Sequence, residues 1–320
     1  MQNKDTIVIF GGSGFVGSHL IDLYAETFHI VSVDIREPKQ RVAGVEYVRA
    51  DVRDLSTFVT SKPPARIYNF AAVHTTPGHE FWEYYDTNIN GAVQVTKFAE
   101  RCGVSEIIFT SSISVYGPSE DMKTEGSVTA PESAYGYSKF LSEEIHRAWL
   151  ERDVSRRLTI VRPAVVFGAH EGGNFTRMAR LLQRGFFIFP GRKDTIKACV
   201  YVKDLIEAIE FARNEPENYK LFNAAYPERY TIEQIVGTFI ADHFPKAKSY
   251  LVPKGIVTLA AKLLYLTKGL GIGIHPDRVQ KLVRSTDIFP EWLVAKGYAF
   301  SFNLKKGLFD WSKDTGGRFS

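Results

Sequence analysis

Residues 6–17 read TIVIFGGSGFVG: a short apolar run is followed at once by a turn with glycine at its first, fourth and seventh positions. An apolar run of this length is typical of a buried strand, and such a turn between a strand and a helix predicts a dinucleotide-binding site. The first glycine permits the tight turn, the second lets the backbone approach a pyrophosphate, and the third lets the helix pack closely on the sheet. The residues expected to line the cofactor here are Gly11, Gly14, Phe15, Val16 and Gly17.

Two carboxylates extend this prediction, because each ends a later predicted strand. Asp34 ends the second strand, where a carboxylate can accept hydrogen bonds from the hydroxyls of the adenosine ribose. Its charge repels a 2′-phosphate, so the predicted cofactor is NAD, while the nearby Arg36 keeps NADP open as the alternative. Asp51 and Val52 end the third strand and are predicted to border the adenine, although Asp51 fits equally well as a solvated strand end or a helix cap.

Short apolar runs alternate with longer amphipathic segments, which predicts an α/β fold with a Rossmann-type, doubly wound parallel sheet. Predicted strands cover residues 6–10, 30–34, 45–49, 66–70, 106–110 and 158–162, and predicted helices lie near 14–27, 80–102 and 134–150. Later the alternation loosens, with helices near 204–213 and 231–243. We expect a NAD-binding domain over residues 1–165, to which later segments return, and a smaller, mainly substrate-binding C-terminal lobe over 166–320.

Composition excludes several classes of protein. The 320 residues are 44% apolar and 24% charged, as in a globular rather than a disordered protein. The net charge of +4 arises from 40 basic and 36 acidic residues without a continuous basic run, so no nucleic-acid partner is expected. Only Cys102 and Cys199 are present and the polar start lacks a signal peptide, so we expect a cytoplasmic protein without disulfides.

The segment 255–274 is largely apolar and about long enough to cross a bilayer. Lys262 and Lys268 interrupt it. We therefore expect a helix that packs on the C-terminal lobe and no stable membrane insertion, with a helix lying on a membrane surface as the alternative.

The spacing Tyr-x-x-x-Lys occurs twice, at Tyr135/Lys139 and at Tyr250/Lys254. In the second pair Pro253 directly precedes the lysine and breaks the helical turn that would align the two side chains. Tyr135 and Lys139 instead lie one turn apart on a predicted helix. An ammonium group beside a phenol favours the phenolate, so Tyr135 is predicted to act as a base, with simple packing as the alternative.

Hydroxyl side chains follow the fifth predicted strand, in the sequence TSSISVYG at residues 110–117. This position is the carboxyl edge of the sheet, where a hydroxyl would meet a reacting alcohol or carbonyl. We choose Ser112 for this role. Lys139 is also expected to bond a ribose hydroxyl of the cofactor.

Together these motifs resemble the extended short-chain dehydrogenase/reductases, especially the nucleotide-sugar epimerases and dehydratases. Further support comes from the segments NFAA at 69–72, TNING at 87–91, YGYSK at 135–139 and RPAVVFG at 162–168. The resemblance implies that Ser112, Tyr135 and Lys139 form the catalytic trio. It places Ala71, Ala72 and Pro163 along the cofactor and makes Asn88 either structural or part of a proton relay.

The resemblance also implies a substrate site in the C-terminal lobe. Asn174 would contact the sugar diphosphate, and Phe187, with Phe189, would hold the nucleotide base. Lys197 stands where relatives often have a phosphate-binding arginine, and Arg278 would supply a second cation. A lysine binds phosphate as a point charge without the bidentate fork of arginine, so these diphosphate contacts differ from those of the relatives.

The two residues after Ser112 distinguish this chain from some relatives. The 4,6-dehydratases have an Asp-Glu pair there, and relatives that epimerise and reduce GDP-sugars have a cysteine at the second position. Here the residues are Ile113 and Ser114, so neither additional reaction is implied. We expect Ser114 to contact the substrate instead.

The predicted function is that of a NAD-dependent nucleotide-sugar epimerase, acting by reversible hydride transfer at C4 of a UDP-sugar, with no metal. The alternatives are a nucleotide-sugar 4-ketoreductase or dehydrogenase, a 3β-hydroxysteroid dehydrogenase-like enzyme suggested by the apolar segment 255–274, and a non-enzymatic dinucleotide sensor. The helices near 80–102 and 134–150 could pair with those of a second copy, which predicts a homodimer.

Overall fold

The computed structural model describes residues 4–75, 78–253, 255–256 and 283–320. Within these ranges the strands are β1 (Thr6–Phe10), β2 (His29–Asp34), β3 (Glu46–Arg49), β4 (Arg66–Asn69), β5 (Glu106–Thr110), β6 (Ser119–Lys123), β7 (Arg157–Pro163), β8 (Val165–Phe167), β9 (Phe186–Pro190), β10 (Cys199–Tyr201), β11 (Tyr219–Ala224), β12 (Lys248–Val252) and β13 (Thr286–Ile288).

The helices of the described residues are α1 (Phe15–Tyr24), α2 (Phe81–Tyr84), α3 (Gly91–Cys102), α4 (Ala134–Leu150), α5 (Asn174–Gln183), α6 (Val202–Asn214), α7 (Ile232–Asp242), α8 (Glu291–Ala295) and α9 (Leu304–Asp314). A π-helical segment, Tyr85–Asn90, joins α2 to α3, and a 3-10 turn, Ile113–Tyr116, follows β5.

The central sheet has seven parallel strands in the order β3-β2-β1-β4-β5-β7-β11. The order reverses direction at β1, as in doubly wound sheets that bind dinucleotides, and the carboxyl ends of β1 and β4 border the resulting crevice. The predicted fold class is therefore confirmed.

Side chains of the sheet alternate between two apolar layers, because successive residues of a strand point to opposite faces. Val8 and Phe10 of β1 belong to a buried cluster with residues of α3 and α4. Ile7 and Ile9 belong to a second cluster with residues of α1 and α6, and this cluster continues into α5 and α7. One continuous apolar cluster therefore joins the sheet to the later part of the chain.

Six of the seven strands lie where the sequence predicts them, to within one residue at each end. The prediction omitted β11, in which the buried Lys220 interrupts the apolar pattern. β11 lies beyond residue 165 and completes the sheet, and α6 packs against it, so later segments return to the sheet. The division of the chain into two domains stays a prediction.

The segment predicted as one helix over residues 80–102 is helical from 81 to 102, and the π-helical segment divides it into α2 and α3. Asn88 lies within this π-helical segment. It bonds the backbone of Val73 on the preceding loop and the hydroxyl of Ser138 on α4, which holds this turn against its neighbours. Insertions of this kind are frequent at functional sites.

Three pairs of parallel strands lie outside the central sheet: β8 with β10, β9 with β12, and β6 with β13. No helix among the described residues is both long and apolar enough to cross a bilayer. The apolar segment 255–274 lies, apart from residues 255–256, outside the described residues.

Candidate active site

The glycine turn brings β1 and β4 together at the carboxyl edge of the sheet. Gly11 has a φ of +80°, and a Cβ atom at this position would lie 2.7 Å from the backbone nitrogen of Ala71. A Cβ at Gly17 would lie 2.4 Å from the carbonyl oxygen of Gly11. Both positions therefore require glycine, and the backbone forms the narrow cradle that a pyrophosphate needs at the N-terminus of α1.

The carboxylate of Asp34 lies at this cradle. It accepts hydrogen bonds from the backbone nitrogen of Ser13 in the glycine turn, at 3.2 Å, and from the backbone nitrogen of Arg36, at 3.0 Å. The guanidinium group of Arg36 is exposed and approaches the same carboxylate at 3.8 Å. These contacts fix Asp34 beside the turn, where its remaining acceptor capacity fits a ribose diol.

Asp51 and Val52 follow β3, next to the end of β2. The carboxylate of Asp51 accepts hydrogen bonds from the guanidinium group of Arg53, which lowers the pKa of Asp51 below its ordinary value. Val52 is buried against Gly91, the first residue of α3. Ion pairing and packing thus account for both residues, and their contact with the adenine stays a prediction.

Ser112 and Tyr135 come together at the carboxyl edge of β5. Ser112 caps the 3-10 turn, accepting a hydrogen bond from the backbone nitrogen of Ser114 at 3.1 Å. Its hydroxyl also donates to the hydroxyl of Ser114 at 3.1 Å. Burial raises the pKa of Tyr135 to about 12, while the nearby hydroxyl of Ser112 acts in the opposite direction.

Lys139 is buried one turn after Tyr135 on α4. Its Nζ donates to the carbonyl oxygen of Thr110 at 2.8 Å and lies 4.9 Å from the ring centre of Phe109. Burial lowers the pKa of Lys139 to about 7, and the negative charge of Glu143 raises it. The structure therefore assembles a hydroxyl, a phenol and a buried amine at the edge where the cofactor cradle also lies.

Glu143 is the residue that the prediction missed. Ser111 donates to its Oε1 at 2.5 Å, and Arg162 donates to both of its oxygens at 2.8 and 2.6 Å. Arg147 adds a hydrogen bond of 3.0 Å. The sequence contains one signal that could have identified Glu143. It stands four residues after Lys139, which puts both side chains on one side of α4.

Asn88 has no free donor for a proton relay. Both hydrogens of its amide are used, in bonds of 3.0 Å to the carbonyl oxygen of Val73 and 2.8 Å to the hydroxyl of Ser138, and its oxygen accepts from the nitrogen of Val73 at 2.9 Å. Since Ser138 lies between Tyr135 and Lys139, Asn88 ties α4 to the loop that carries Ala71 and Ala72. These contacts fit a structural role, and a part in a proton relay stays a prediction.

The predicted substrate residues lie further along the chain. Asn174 is exposed at the start of α5, whereas Phe187 is buried on β9 with Phe189. The ammonium of Lys197 donates to the carbonyl oxygen of Arg284, and burial lowers the pKa of Lys197 to about 8. Arg278 lies outside the described residues. Contact of any of these with a substrate stays a prediction, as does the position of Pro163 at the end of β7.

No metal cofactor is implied by these contacts. Among the residues that the structure describes, no group of three or more histidine, cysteine, aspartate or glutamate side chains could hold a metal ion.

A doubly wound sheet with a glycine cradle and a Ser-Tyr-Lys cluster at one edge defines an enzyme that uses a nicotinamide cofactor. The sequence profile of the NAD dependent epimerase/dehydratase family matches residues 7–225, and the chain belongs to this family. The cofactor of this enzyme is NAD, and both the glycine cradle and the position of Asp34 suit the binding of NAD.

Two curated relatives illustrate the range of the family. The N-acetyl-alpha-D-glucosaminyl-diphospho-ditrans,octacis-undecaprenol 4-epimerase of Escherichia coli O157:H7 is 27% identical over 315 residues, 95% of this chain and 93% of that protein. The UDP-glucose 4-epimerase of Vibrio cholerae is 29% identical over 223 residues, 66% of this chain and 67% of that protein.

Among solved structures, the UDP-Glc/GlcNAc 4-epimerase of Campylobacter jejuni has the same fold, with a TM-score of 0.75. The match covers 97% of this chain and 99% of that one at 19% identity. It shows that the two chains share one fold.

Proposed function

We propose that the protein is a 4-epimerase of sugars linked through a diphosphate, with UDP-sugars as the first candidate substrates. The observation that carries the proposal is the placement of the Ser112 hydroxyl near the phenol of Tyr135, one helical turn before the buried Lys139. Ile113 and Ser114 supply no carboxylate for elimination of water, which favours epimerisation over dehydration. The UDP-glucose 4-epimerase from Vibrio cholerae supports the same reaction class.

In this mechanism Tyr135 takes the proton of the 4-hydroxyl group and later returns it. Ser112 holds the reacting oxygen, because its hydroxyl lies against the phenol of Tyr135. A protonated Lys139 favours the phenolate and binds the cofactor ribose. NAD supplies a reversible acceptor for the hydride of the sugar carbon. Asp34 and the backbone of the glycine turn would hold NAD in place.

A second candidate substrate is a sugar joined to a polyprenol through a diphosphate. The specific observation is that the undecaprenol-diphosphate epimerase of Escherichia coli aligns over 95% of this chain, whereas the alignment with the Vibrio cholerae enzyme covers 66%. Both kinds of substrate carry a sugar, either glucose or N-acetylglucosamine, on a diphosphate group. The catalytic trio would therefore act in the same way on either kind. Residues of the C-terminal lobe would distinguish them.

The test is NMR of purified enzyme with UDP-glucose, UDP-galactose, their N-acetyl forms and polyprenyl-diphosphate N-acetylglucosamine, with absorbance of reduced cofactor recorded in parallel. Exchange of C4 epimers without net consumption of NAD is the expected result. Stoichiometric oxidation of NADH with a 4-keto sugar would establish a reductase, and activity on 3β-hydroxysteroids alone would establish that class. Binding of NAD without turnover of any substrate would establish a sensor.

We also propose a cytoplasmic homodimer. Large apolar side chains are exposed on both helices predicted to pair, including Phe81 and Trp82 on α2 and Leu141 on α4. Exposed apolar side chains that cluster on one surface commonly mark an interface. Pairing of these helices with those of a second copy would bury them.

A further inference from the structure

The two-stranded sheet of β9 and β12 has an apolar side that faces solvent. The strands are parallel, and their register pairs Phe186 with Lys248 and Ile188 with Tyr250, so these four side chains share one face. Phe186, Ile188 and Tyr250 are 39%, 42% and 52% exposed, whereas Phe187 on the opposite side is buried. We call the four residues Phe186, Ile188, Lys248 and Tyr250 the outer face.

This arrangement is unusual for the solvent side of a sheet. Such a side is ordinarily polar, because only one face of a small sheet packs on the core. Ile256, four residues after the end of β12, is also exposed, whereas Leu251 pairs with Phe189 and lies on the opposite side of the sheet. A contiguous exposed apolar surface of this kind marks a site of interaction.

The surroundings of the outer face are basic. Exposed Arg184 and Lys246 flank it, and residues 172–193 and 243–256, which include both strands, contain no aspartate or glutamate. Positive charge is also concentrated in the sequence that begins just before β12: residues 246–284 contain eight lysines and arginines and a single acidic residue. With a net charge of +4 for the whole chain, the remainder of the molecule is net acidic.

We propose that the outer face docks the C-terminal lobe on an anionic bilayer surface. Aromatic and aliphatic side chains enter the boundary between headgroups and acyl chains, while lysines and arginines around them bind anionic headgroups. A second copy of the chain is a poorer occupant, because a twofold contact through this face would bring the cations of each copy against those of the other. Docking would also place the lobe where a diphosphate sugar carried by a lipid is found.

The experiment is flotation of the purified full-length protein with vesicles of phosphatidylcholine alone or with phosphatidylglycerol added. The protein should float with the anionic vesicles, bind neutral vesicles weakly, and dissociate in high salt because salt screens the headgroup charges. Failure to bind the anionic vesicles would overturn the proposal. Binding that ignores both lipid charge and salt would overturn the role of the basic residues.

Paired variants then assign the surface. Ile188→Ser with Tyr250→Ser should abolish most of the binding, whereas Val154→Ser, which removes an aliphatic side chain that is 93% exposed elsewhere, should not change it. Lys246→Glu with Lys248→Glu should weaken the apparent affinity about tenfold or more, since each basic residue near the membrane contributes separately. Lys39→Glu with Lys306→Glu has the same net change of charge at other exposed positions and should bind normally.

Circular dichroism and NAD content establish that each variant is folded. Full binding by the folded Ile188→Ser/Tyr250→Ser protein would show that another surface, or residues 257–282, makes the contact and would overturn the proposal. A change in the oligomeric state of that variant without a change in vesicle binding would assign the face to a second copy instead. Epimerisation of UDP-sugars without vesicles is measured separately, so the proposed function and the docking surface can fail independently.

Discussion

Lys139 and Glu143 have opposite charges and lie one turn apart within the buried part of α4. Burial lowers the pKa of Lys139 to about 7, so amine and ammonium are both populated near neutral pH in the cofactor-free protein. Glu143 raises this pKa, and Arg162 and Ser111 keep its carboxylate in place. The charge state of the lysine therefore depends on a residue that does not touch the reacting atoms.

Replacing Tyr135 by phenylalanine removes the proton acceptor without removing the ring. We expect Tyr135→Phe to lower turnover about 10²- to 10⁴-fold, in the range of general acid-base catalysis, and to leave the content of bound NAD unchanged. Lys139→Ala should lower both the turnover and the content of bound NAD. NMR measures turnover, and absorbance after denaturation measures bound NAD. Tyr250→Phe, in the other Tyr-x-x-x-Lys pair, serves as control, and near-normal turnover by Tyr135→Phe would place the base elsewhere.

Replacing Glu143 by glutamine should shift the pH dependence of turnover. Without the carboxylate, the pKa of Lys139 falls further, so the ammonium that favours the phenolate is lost at lower pH. The alkaline limb of the kcat profile should therefore move to lower pH in Glu143→Gln.

The adjacent Glu144 provides a matched control for this prediction. Glu144 is exposed and pairs with Arg147, so Glu144→Gln removes the same charge one residue away and should leave the profile in place. A fall in kcat that is uniform at all pH values in Glu143→Gln would indicate a purely structural role and contradict the electrostatic one.

At the scale of elements, close backbone contacts fix two helices relative to the sheet. A Cβ at Gly17 on α1 would lie 2.4 Å from the carbonyl oxygen of Gly11, and a Cβ at Gly136 on α4 would lie 2.6 Å from that of Ser114. The first contact sets the cofactor cradle, and the second sets the distance between the catalytic helix and the turn after Ser112. Neither backbone oxygen can move away without moving the site.

Gly17→Ala should therefore destabilise the protein, although alanine has the higher helix propensity. We expect a loss of about 1–3 kcal/mol, typical of overpacking, together with weaker binding of NAD. Gly237→Ala is the matched control, because Gly237 lies inside α7 with no atom within 4 Å of the added Cβ. That variant should gain about 0.5–1 kcal/mol. Urea unfolding measures the stability of each variant, and titration measures its affinity for NAD. Equal changes of stability in Gly17→Ala and Gly237→Ala would contradict the packing argument.

At the scale of the whole molecule, two of the places where large apolar side chains are exposed bear on proposed interactions. One is the outer face of the C-terminal lobe, surrounded by cations. The other lies on α2 and α4, where Phe81, Trp82 and Leu141 are exposed. The second surface belongs to the helices proposed to form the homodimer, and Leu141 lies on the same helix as Tyr135 and Lys139.

Leu141→Glu should therefore convert the proposed dimer into a monomer, because two like charges would be buried together across a twofold axis. Sedimentation velocity over a range of protein concentrations measures the change. Val154→Glu introduces the same side chain at an exposed position just after α4 and should leave the oligomeric state unaltered. A wild-type monomer, or an unchanged dimer in Leu141→Glu, would show that α4 does not form the interface.

The sequence by itself determined the features that depend on neighbours within one or two turns of the chain. The spacing of glycines identified the cofactor turn, strand periodicity identified six strands of the sheet, and helical spacing separated Tyr135 and Lys139 from the pair at Tyr250. These signals are local, because backbone conformation and side-chain direction repeat over a few residues.

Only the tertiary structure decided the contacts between distant segments. It places Ser112 near Tyr135, pairs Glu143 with Arg162 of β7, and bonds Asn88 of the π-helical segment to Ser138 on α4. It also added β11 to the sheet and exposed the apolar side of β9. Such contacts join residues tens of positions apart, and their energies depend on burial and exact distance, which no local pattern of residues encodes.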